Sequence, residues 1–485
     1  MSALRIMFLF SDIKQYQEDL KNNNINCIDT VLYYLEQIEK NKQLNAFTEV
    51  YANEAIRQAM DLDEKRKTGD HLKRLHGVVI AIKDVLCYKD HTITAASKIL
   101  KGFKSLYTAT AVQCLLDEDA IIIGACNCDE FAMGSSNENS AYGNVLNALD
   151  HTKVPGGSSG GSAVAVQAGL CMVSLGTDTG GSVRQPADFC GILGLKPTYG
   201  RISRYGLIAY ASSFDQVGIF GKSADDIALL LEIMSGPDEY DSTVLQEISE
   251  KFSLPSAENK TYRIAYFKEA LHHPSLDKEI KENILLLIDT LRSNGHTVKE
   301  IDFDLLDYVV PAYYVLTTAE ASSNLSRYDG IRFGYQTKNE VKDLTDFYKQ
   351  TRSEAFGKEV KRRIMLGTFV LSSGYYDAYF NKALRVRRLL TDKTDLIFTE
   401  FDAIIIPTSP ATAFPIGDKT NDPVAMYLAD IFTVFANLTG IPGISVPLFK
   451  HSNGMPFGLQ VMTQKRDELT LLQITDHLMN QYREN

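Results

Sequence analysis

No hydrophobic run in this sequence is long enough to cross a membrane, and none reads as an export signal. The apolar residues 6–10 are shorter than a signal core, and no small-residue cleavage site follows them. Basic residues are outnumbered: 61 Asp and Glu against 50 Lys and Arg give a formal net charge of −11. Such a chain repels a phosphate backbone unless a local patch or a partner reverses the sign, which argues against nucleic-acid binding by this chain alone. Seven scattered cysteines, an odd number, make no disulfide framework. Cys126 and Cys128 are too close together for a zinc pair, and no second pair follows. These absences predict a cytoplasmic protein with reduced thiols and no metal site. Internal repeats and low-complexity tracts are lacking too, and no composition break marks a linker.

What is present reads as one large α/β unit. Hydrophobic residues make up 45% and charged residues 23%, ordinary for a globular enzyme of 485 residues. Asn26 precedes a helical face of Ile28, Val31, Leu32, Leu35 and Ile38. A second helix runs over 51–67, and residues 1–75 form an outer helical layer. Next comes a buried strand over 76–84, ending in Lys83 and Asp84, then a helix over 111–118 and a strand over 120–125. Residues 131–147 are a long polar loop, the kind that carries function. Further on, helices are predicted over 223–234 and 277–294, and strands over 262–267, 297–301, 403–406 and 458–462. A Tyr- and Arg-rich helical stretch spans 308–394, 437–448 is a Gly/Pro-punctuated segment, and a closing helix starts at Asp467. The alternation predicts a single domain with a mixed, mostly parallel central sheet covered by helices on both faces. Within it, 76–235 is the catalytic core, 236–400 the mixed and helical substrate side, and 401–485 the completion of the core.

The stretch 154–186 organises the rest: VPGGSSGGSAVAVQAGLCMVSLGTDTGGSVRQP. Two small-residue clusters bracket an apolar run over 163–175, long enough for a helix out and a strand back. A flexible Gly/Ser linker does not enclose such a run. Both clusters then lie at the ends of packed elements, where bare backbone approaches a ligand closely. Three readings compete. A phosphate loop fails, because Ser162 and Ala163 stand where Lys-Ser/Thr is required. A nucleophile elbow makes Ser158 the nucleophile and needs a downstream histidine base, from His272, His273, His296, His451 or His477. A third reading uses serines from both clusters with Lys83 as base. Burial at the end of an apolar strand disfavours its ammonium form and makes a neutral amine accessible near pH 7. Alone, a lysine at a strand end is ordinary; the paired serines give it meaning.

Lys83-Asp84, GGSSGGS at 156–162 and DTGGSVRQP at 178–186 resemble the amidase signature family, and the likeness extends over most of the chain. The resemblance implies that Ser182 is the nucleophile, that Ser158, preceded by a cis peptide, relays its proton, and that Lys83 is the base. The N–H groups of Thr179, Gly180, Gly181 and Ser182 would face the oxyanion, and the product would be an acyl-enzyme. Further stretches, CDEFAMGSS (128–136), PTYGRISRYGL (197–207), EVKRRIMLGTF (359–369) and MYLADIFT (426–433), resemble the branch whose members hydrolyse glutamine within tRNA-dependent amidotransferases. That branch implies Arg363 for the substrate carboxylate, with Arg362 as the neighbouring choice. It implies Asp430 for the ammonium and Ser135, in the 131–136 loop, as pocket lining. It also implies a heterotrimer: a B subunit that uses ATP and Mg and holds the misacylated tRNA, and a small C subunit. Two other readings stay open, a stand-alone amidase on a simple carboxamide and a non-catalytic scaffold protein.

Overall fold

A computed structural model describes residues 12–68, 72–247, 251–252, 254, 260–419 and 423–483. The apolar stretch 6–10 lies outside the described residues. Eleven strands among them form one sheet: β1 (Phe47–Val50), β2 (Val79–Lys83), β3 (Ile121–Cys126), β4 (Val173–Thr177), β5 (Leu193–Lys196), β6 (Val217–Gly221), β7 (Arg263–Phe267), β8 (Thr297–Ile301), β9 (Ala403–Pro407), β10 (Gly443–Lys450) and β11 (Pro456–Met462). Their order is β1-β3-β2-β4-β6-β5-β10-β11-β9-β7-β8. Strands from near both ends of the chain thus share one sheet, as a single domain requires.

Alternation along β9 shows why both faces are covered. Ala403 and Ile405 point into one apolar core, with the helices Lys278–Ser293 and Glu468–Tyr482. Ile404 and Ile406 point into the other, with Val309–Asn324 and Lys382–Glu400. A strand buried on both sides reads as continuous hydrophobics, which is how AIII appears in sequence. Capping sets the helix boundaries as expected: Asn26, Ser223, Asp277 and Asp467 each accept a backbone N–H of the first turn. All seven cysteines are free. Among the described residues no helix is long and apolar enough to cross a membrane.

The sheet departs from expectation in one respect. It is mixed but not mostly parallel: pairing is parallel only within β3-β2-β4 and β9-β7-β8, and six of the ten pairings are antiparallel. A parallel return needs a crossover of about a dozen residues or more. Strands β10 and β11 are instead joined by a short hairpin, and β6 runs against both of its neighbours, β4 and β5. Strand β10 looks like a punctuated loop in sequence because Pro447 interrupts it; a shift in register at Pro447 accommodates the missing N–H.

Packing is close where the first glycine cluster meets the ends of β1 and β3. A Cβ on Gly161 would sit 2.3 Å from the Asn127 carbonyl oxygen and 2.5 Å from that of Ala46. Neither backbone can yield cheaply, so Gly161→Ala should destabilise the fold by about 1–3 kcal/mol, read as a lowered thermal midpoint; an unchanged midpoint would contradict this packing.

Candidate active site

Parallel pairing sets Ile82 opposite Leu175, so the C-terminal ends of β2 and β4 lie side by side. Lys83 leaves one end, fully buried, and its Nζ reaches three hydroxyls: Ser158 Oγ at 2.7 Å, Thr177 Oγ1 at 2.8 Å and Ser159 Oγ at 2.9 Å. No carboxylate bonds to it among the described residues. Burial pulls the amine down to about 8, against the weaker pull of Cys128, Asp129, Asp178 and Asp215 in the other direction. A base accessible near neutral pH results.

Proton bookkeeping separates the two adjacent serines. Ser159 Oγ donates to the Thr177 carbonyl at 3.1 Å and accepts the Thr177 N–H at 3.2 Å besides the lysine. Its proton is committed. Ser158 has no such second partner among the described residues, so its hydroxyl is the one able to pass a proton to or from Lys83. The Gly157–Ser158 peptide is cis, as the resemblance implied.

The second cluster folds over the first, and the Ser182 carbonyl accepts the Ser159 N–H at 3.3 Å. Ser182 is 8% exposed where Ser158 and Ser159 are sealed, so it is the least enclosed of the three. No hydrogen bond joins the Ser158 and Ser182 hydroxyls themselves among the described residues; such bonds often tighten only around a substrate. Glycine is required at both positions before Ser182. A Cβ on Gly180 would meet the Tyr313 hydroxyl at 2.3 Å, and one on Gly181, at φ +124°, would meet Thr433 Oγ1 at 2.1 Å.

A buried carboxylate anchors this turn. Asp178 accepts the N–H groups of Gly181 (2.9 Å) and Val183 (3.2 Å), and pairs with the Arg184 guanidinium at 3.0 and 3.1 Å. Burial alone would raise Asp178, but Arg184, Lys196 and the Asn437 amide hold it down at about 2. Arg184 in turn reaches the Thr433 carbonyl, Gln460 and Asn437. This anchoring divides the expected oxyanion donors. The Gly181 amide is already engaged with Asp178, while those of Thr179, Gly180 and Ser182 find no acceptor among the described residues. Asp215 holds the Thr179 side chain at 2.7 Å.

The remaining expected residues form one connected wall. Arg363 is buried, and its guanidinium bonds Glu359 and the Tyr210 hydroxyl, both at 2.8 Å, under the rings of Tyr314 and Tyr427. Arg362, about a third exposed, turns to the outer side of Glu359. Asp430 accepts from Ser135 at 2.7 Å and from Tyr314 at 3.2 Å, and burial pushes it up to about 7. A pocket of about 80 Å³ beside this wall is lined by Glu359, Arg362, Arg363, Lys419 and Tyr427 among others. Tyrosines 210, 313 and 314 carry no sequence signal and come from distant segments; only their meeting around Gly180 and Arg363 reveals them.

The five downstream histidines lie elsewhere. His451 faces Asp277 and Glu279, His296 and His477 pack around Tyr262, His272 meets Lys281, and His273 packs on Phe432. None bonds to either serine cluster among the described residues, which removes the histidine-based elbow.

The family model described as Amidase matches residues 29–472. The chain belongs to the amidase family. Among its relatives, the A subunit of glutamyl-tRNA(Gln) amidotransferase from Chlorobium phaeobacteroides (strain BS1) is 47% identical over 98% of this chain and 100% of its own length. The protein of the same name from Koribacter versatilis is 48% identical over 91% and 92%. The crystal structure of the glutamyl-tRNA(Gln) amidotransferase A subunit from Thermotoga maritima superposes with a TM-score of 0.78 at 38% identity, covering 94% of this chain and 92% of that one. A peptide amidase from Stenotrophomonas maltophilia shares the fold at a TM-score of 0.81 and 26% identity, over 98% of each chain.

In this amidase the Asp178–Arg184 pair is the support whose loss is best defined. Asp178→Ala leaves Arg184 buried and unpaired, which should cost about 3–5 kcal/mol. A fall in the urea midpoint together with loss of amide hydrolysis is the expected result; retention of both would show that the pair does not hold the turn.

Proposed function

We propose that this chain hydrolyses glutamine to supply ammonia, as the A subunit of a cytoplasmic tRNA-dependent amidotransferase. The observation that carries the reading is the pairing of a buried cation and a buried carboxylate, Arg363 and Asp430, bridged by Tyr314. Free glutamine presents an α-carboxylate and an α-ammonium, and a simple carboxamide presents neither. A guanidinium grips a carboxylate strongly, and Asp430, with Ser135 beside it, suits the ammonium.

Ser182 Oγ attacks the side-chain carbonyl carbon while its proton passes through Ser158 to Lys83. The amides of Thr179, Gly180 and Ser182 face the developing oxyanion, each donor worth roughly 3 kcal/mol. Collapse returns the proton to the leaving nitrogen, ammonia departs, and water attacks the γ-glutamyl ester by the same relay to release glutamate. This chain needs no cofactor for that cycle. The acceptor, Glu-tRNA(Gln), Asp-tRNA(Asn) or both, belongs to a B subunit that spends ATP with Mg, with a C subunit bracing the pair. The relatives' names support that assembly, and the acidic balance of this chain suits leaving the tRNA to a partner.

Two measurements test the reading. Arg363→Lys and Asp430→Asn should each raise KM for glutamine about 10- to 100-fold, while Ser182→Ala abolishes glutamate release and acyl-enzyme trapping. Intact glutamine hydrolysis in the first two would favour a stand-alone amidase, and intact glutamine-dependent transamidation in the third a scaffold. The pH profile supplies the second. Lys83 acts as the neutral amine, so kcat should rise with pH through about 8. Asp430 must be ionised to hold an ammonium, so KM should fall as pH rises through about 7. A kcat flat from about pH 6 to 9 would rule out the lysine base.

A further inference from the structure

The loop carrying Ser135 and the helix carrying Arg363 are joined by one side chain outside the pocket. Glu130 is 2% exposed, in the turn Glu130–Ala132. Its Oε2 accepts the Gly357 N–H at 2.7 Å, and its Oε1 accepts the Ser97 hydroxyl. Gly357 is the N-cap of the helix Lys358–Val370 and has no side chain to cap it. A Cβ there would lie 2.3 Å from Glu130 Oε2, so glycine at the cap lets the carboxylate come close enough to take its N–H. Burial raises the Glu130 carboxyl to about 7, against the weaker pull of the Ser97 and Gly357 donors and of Lys361 and Lys98.

The connection is stiff on both sides. Beyond Glu130, Phe131 and Ala132 adopt φ of +51° and +59°, and Phe131 packs on Phe356 and Tyr328. The buried Asp129 carboxylate accepts the Asn137 and Asn139 N–H groups at 2.9 and 3.0 Å, closing the loop that presents Ser135 to Asp430. On the other side, Arg363 lies in the second turn of the helix that Gly357 caps. Ser135 and Arg363 thus each lie a few residues along the backbone from the contact that Glu130 makes with Gly357.

We propose that Glu130 is a positioning residue that sets the spacing between Arg363 and the Ser135–Asp430 pair, and so fixes which length of amino-acid amide reaches Ser182. The inference rests on the reading that these groups hold the two α-substituents of glutamine. With both α-groups clamped, the side-chain length decides where the amide carbon falls. Asparagine is one methylene short, and a misplacement of about 1 Å costs on the order of 10²-fold in rate. Loosening the spacer should blur that distinction without touching the nucleophile.

The experiment uses the full chain purified with its native partner subunits. Glu130→Ala should raise KM for glutamine about tenfold or more and lower the ratio of kcat/KM for glutamine over asparagine. Glu130→Gln, which keeps an acceptor for Gly357, should fall between the two. Covalent labelling of Ser182 by phenylmethanesulfonyl fluoride should proceed at the wild-type rate in both variants. Slowed labelling in proportion to the loss on glutamine would make Glu130 a general structural support and overturn the proposal. So would an unchanged glutamine-to-asparagine ratio. Arg363→Lys, assayed in parallel, separates the two levels: if it impairs glutamine binding and Glu130→Ala does not, only the spacer role fails. If neither impairs it, the glutamine reading fails first.

Discussion

An amine with no carboxylate partner lies at the centre of this protein, and most of the surrounding structure can be understood as what keeps it there. Lys83 is sealed from water and, among the described residues, satisfied only by three hydroxyls. A charged ammonium in that place loses its hydration and gains only the weaker, unbonded attraction of Asp129, Asp178 and Asp215, so the neutral form becomes accessible. A histidine base is usually oriented and charge-stabilised by a partner. Here desolvation performs the tuning, which requires that hydroxyls rather than water complete the lysine's hydrogen bonds. Ser159 and Thr177 do so at the end of β4, leaving Ser158 with a proton to move.

Such a site tolerates little play, and two buried carboxylates below the turn account for its rigidity. Asp178 fastens the amides of Gly181 and Val183 and is itself neutralised by Arg184. Asp215 fastens Thr179. Asp178 has a guanidinium against it and stays at about 2, whereas burial pushes Asp215 up to about 6. The turn is thus held by one carboxylate locked in its charged form and one near its titration point, both within reach of the field that acts on Lys83.

Sequence reading reaches the chemistry more easily than the topology, for physical reasons. Ser158 and Ser182 sit in stretches whose small residues let backbones approach, so their spacing carries information; Lys83 ends an apolar strand and gains meaning only beside them. Strands β5, β6 and β10 are short or broken by glycine and proline, and buried on both faces, so neither alternation nor length marks them. In Lys361-Arg362-Arg363 all three cations look alike, and only the packing of the helix decides that Arg363 faces inward while Arg362 stays at the rim. The tyrosines at 210, 313 and 314 are invisible because a pocket assembled from remote segments leaves no local pattern. Glu130 reads as part of a motif, but its partner lies 227 residues away.

Burial acts on the two ends of this site in opposite senses and brings them toward the same state. Lys83 is drawn down to about 8 and Asp430 is raised to about 7, so near neutrality each has ready access to its uncharged form. A ligand that brings its own cation changes that balance at one end only. An ammonium beside Asp430 favours the carboxylate, and a carboxylate beside Arg363 offsets a guanidinium whose ion-pair partner is Glu359. The amine is left as it was. On the glutamine reading proposed above, charge is compensated at Arg363 and Asp430 and withheld at Lys83, a division that a neutral carboxamide would not bring about. The two ends are not electrically independent, since the charged Asp178 acts on both Lys83 and Asp430, but Arg363 and Asp430 are the groups that a ligand's own charges would meet.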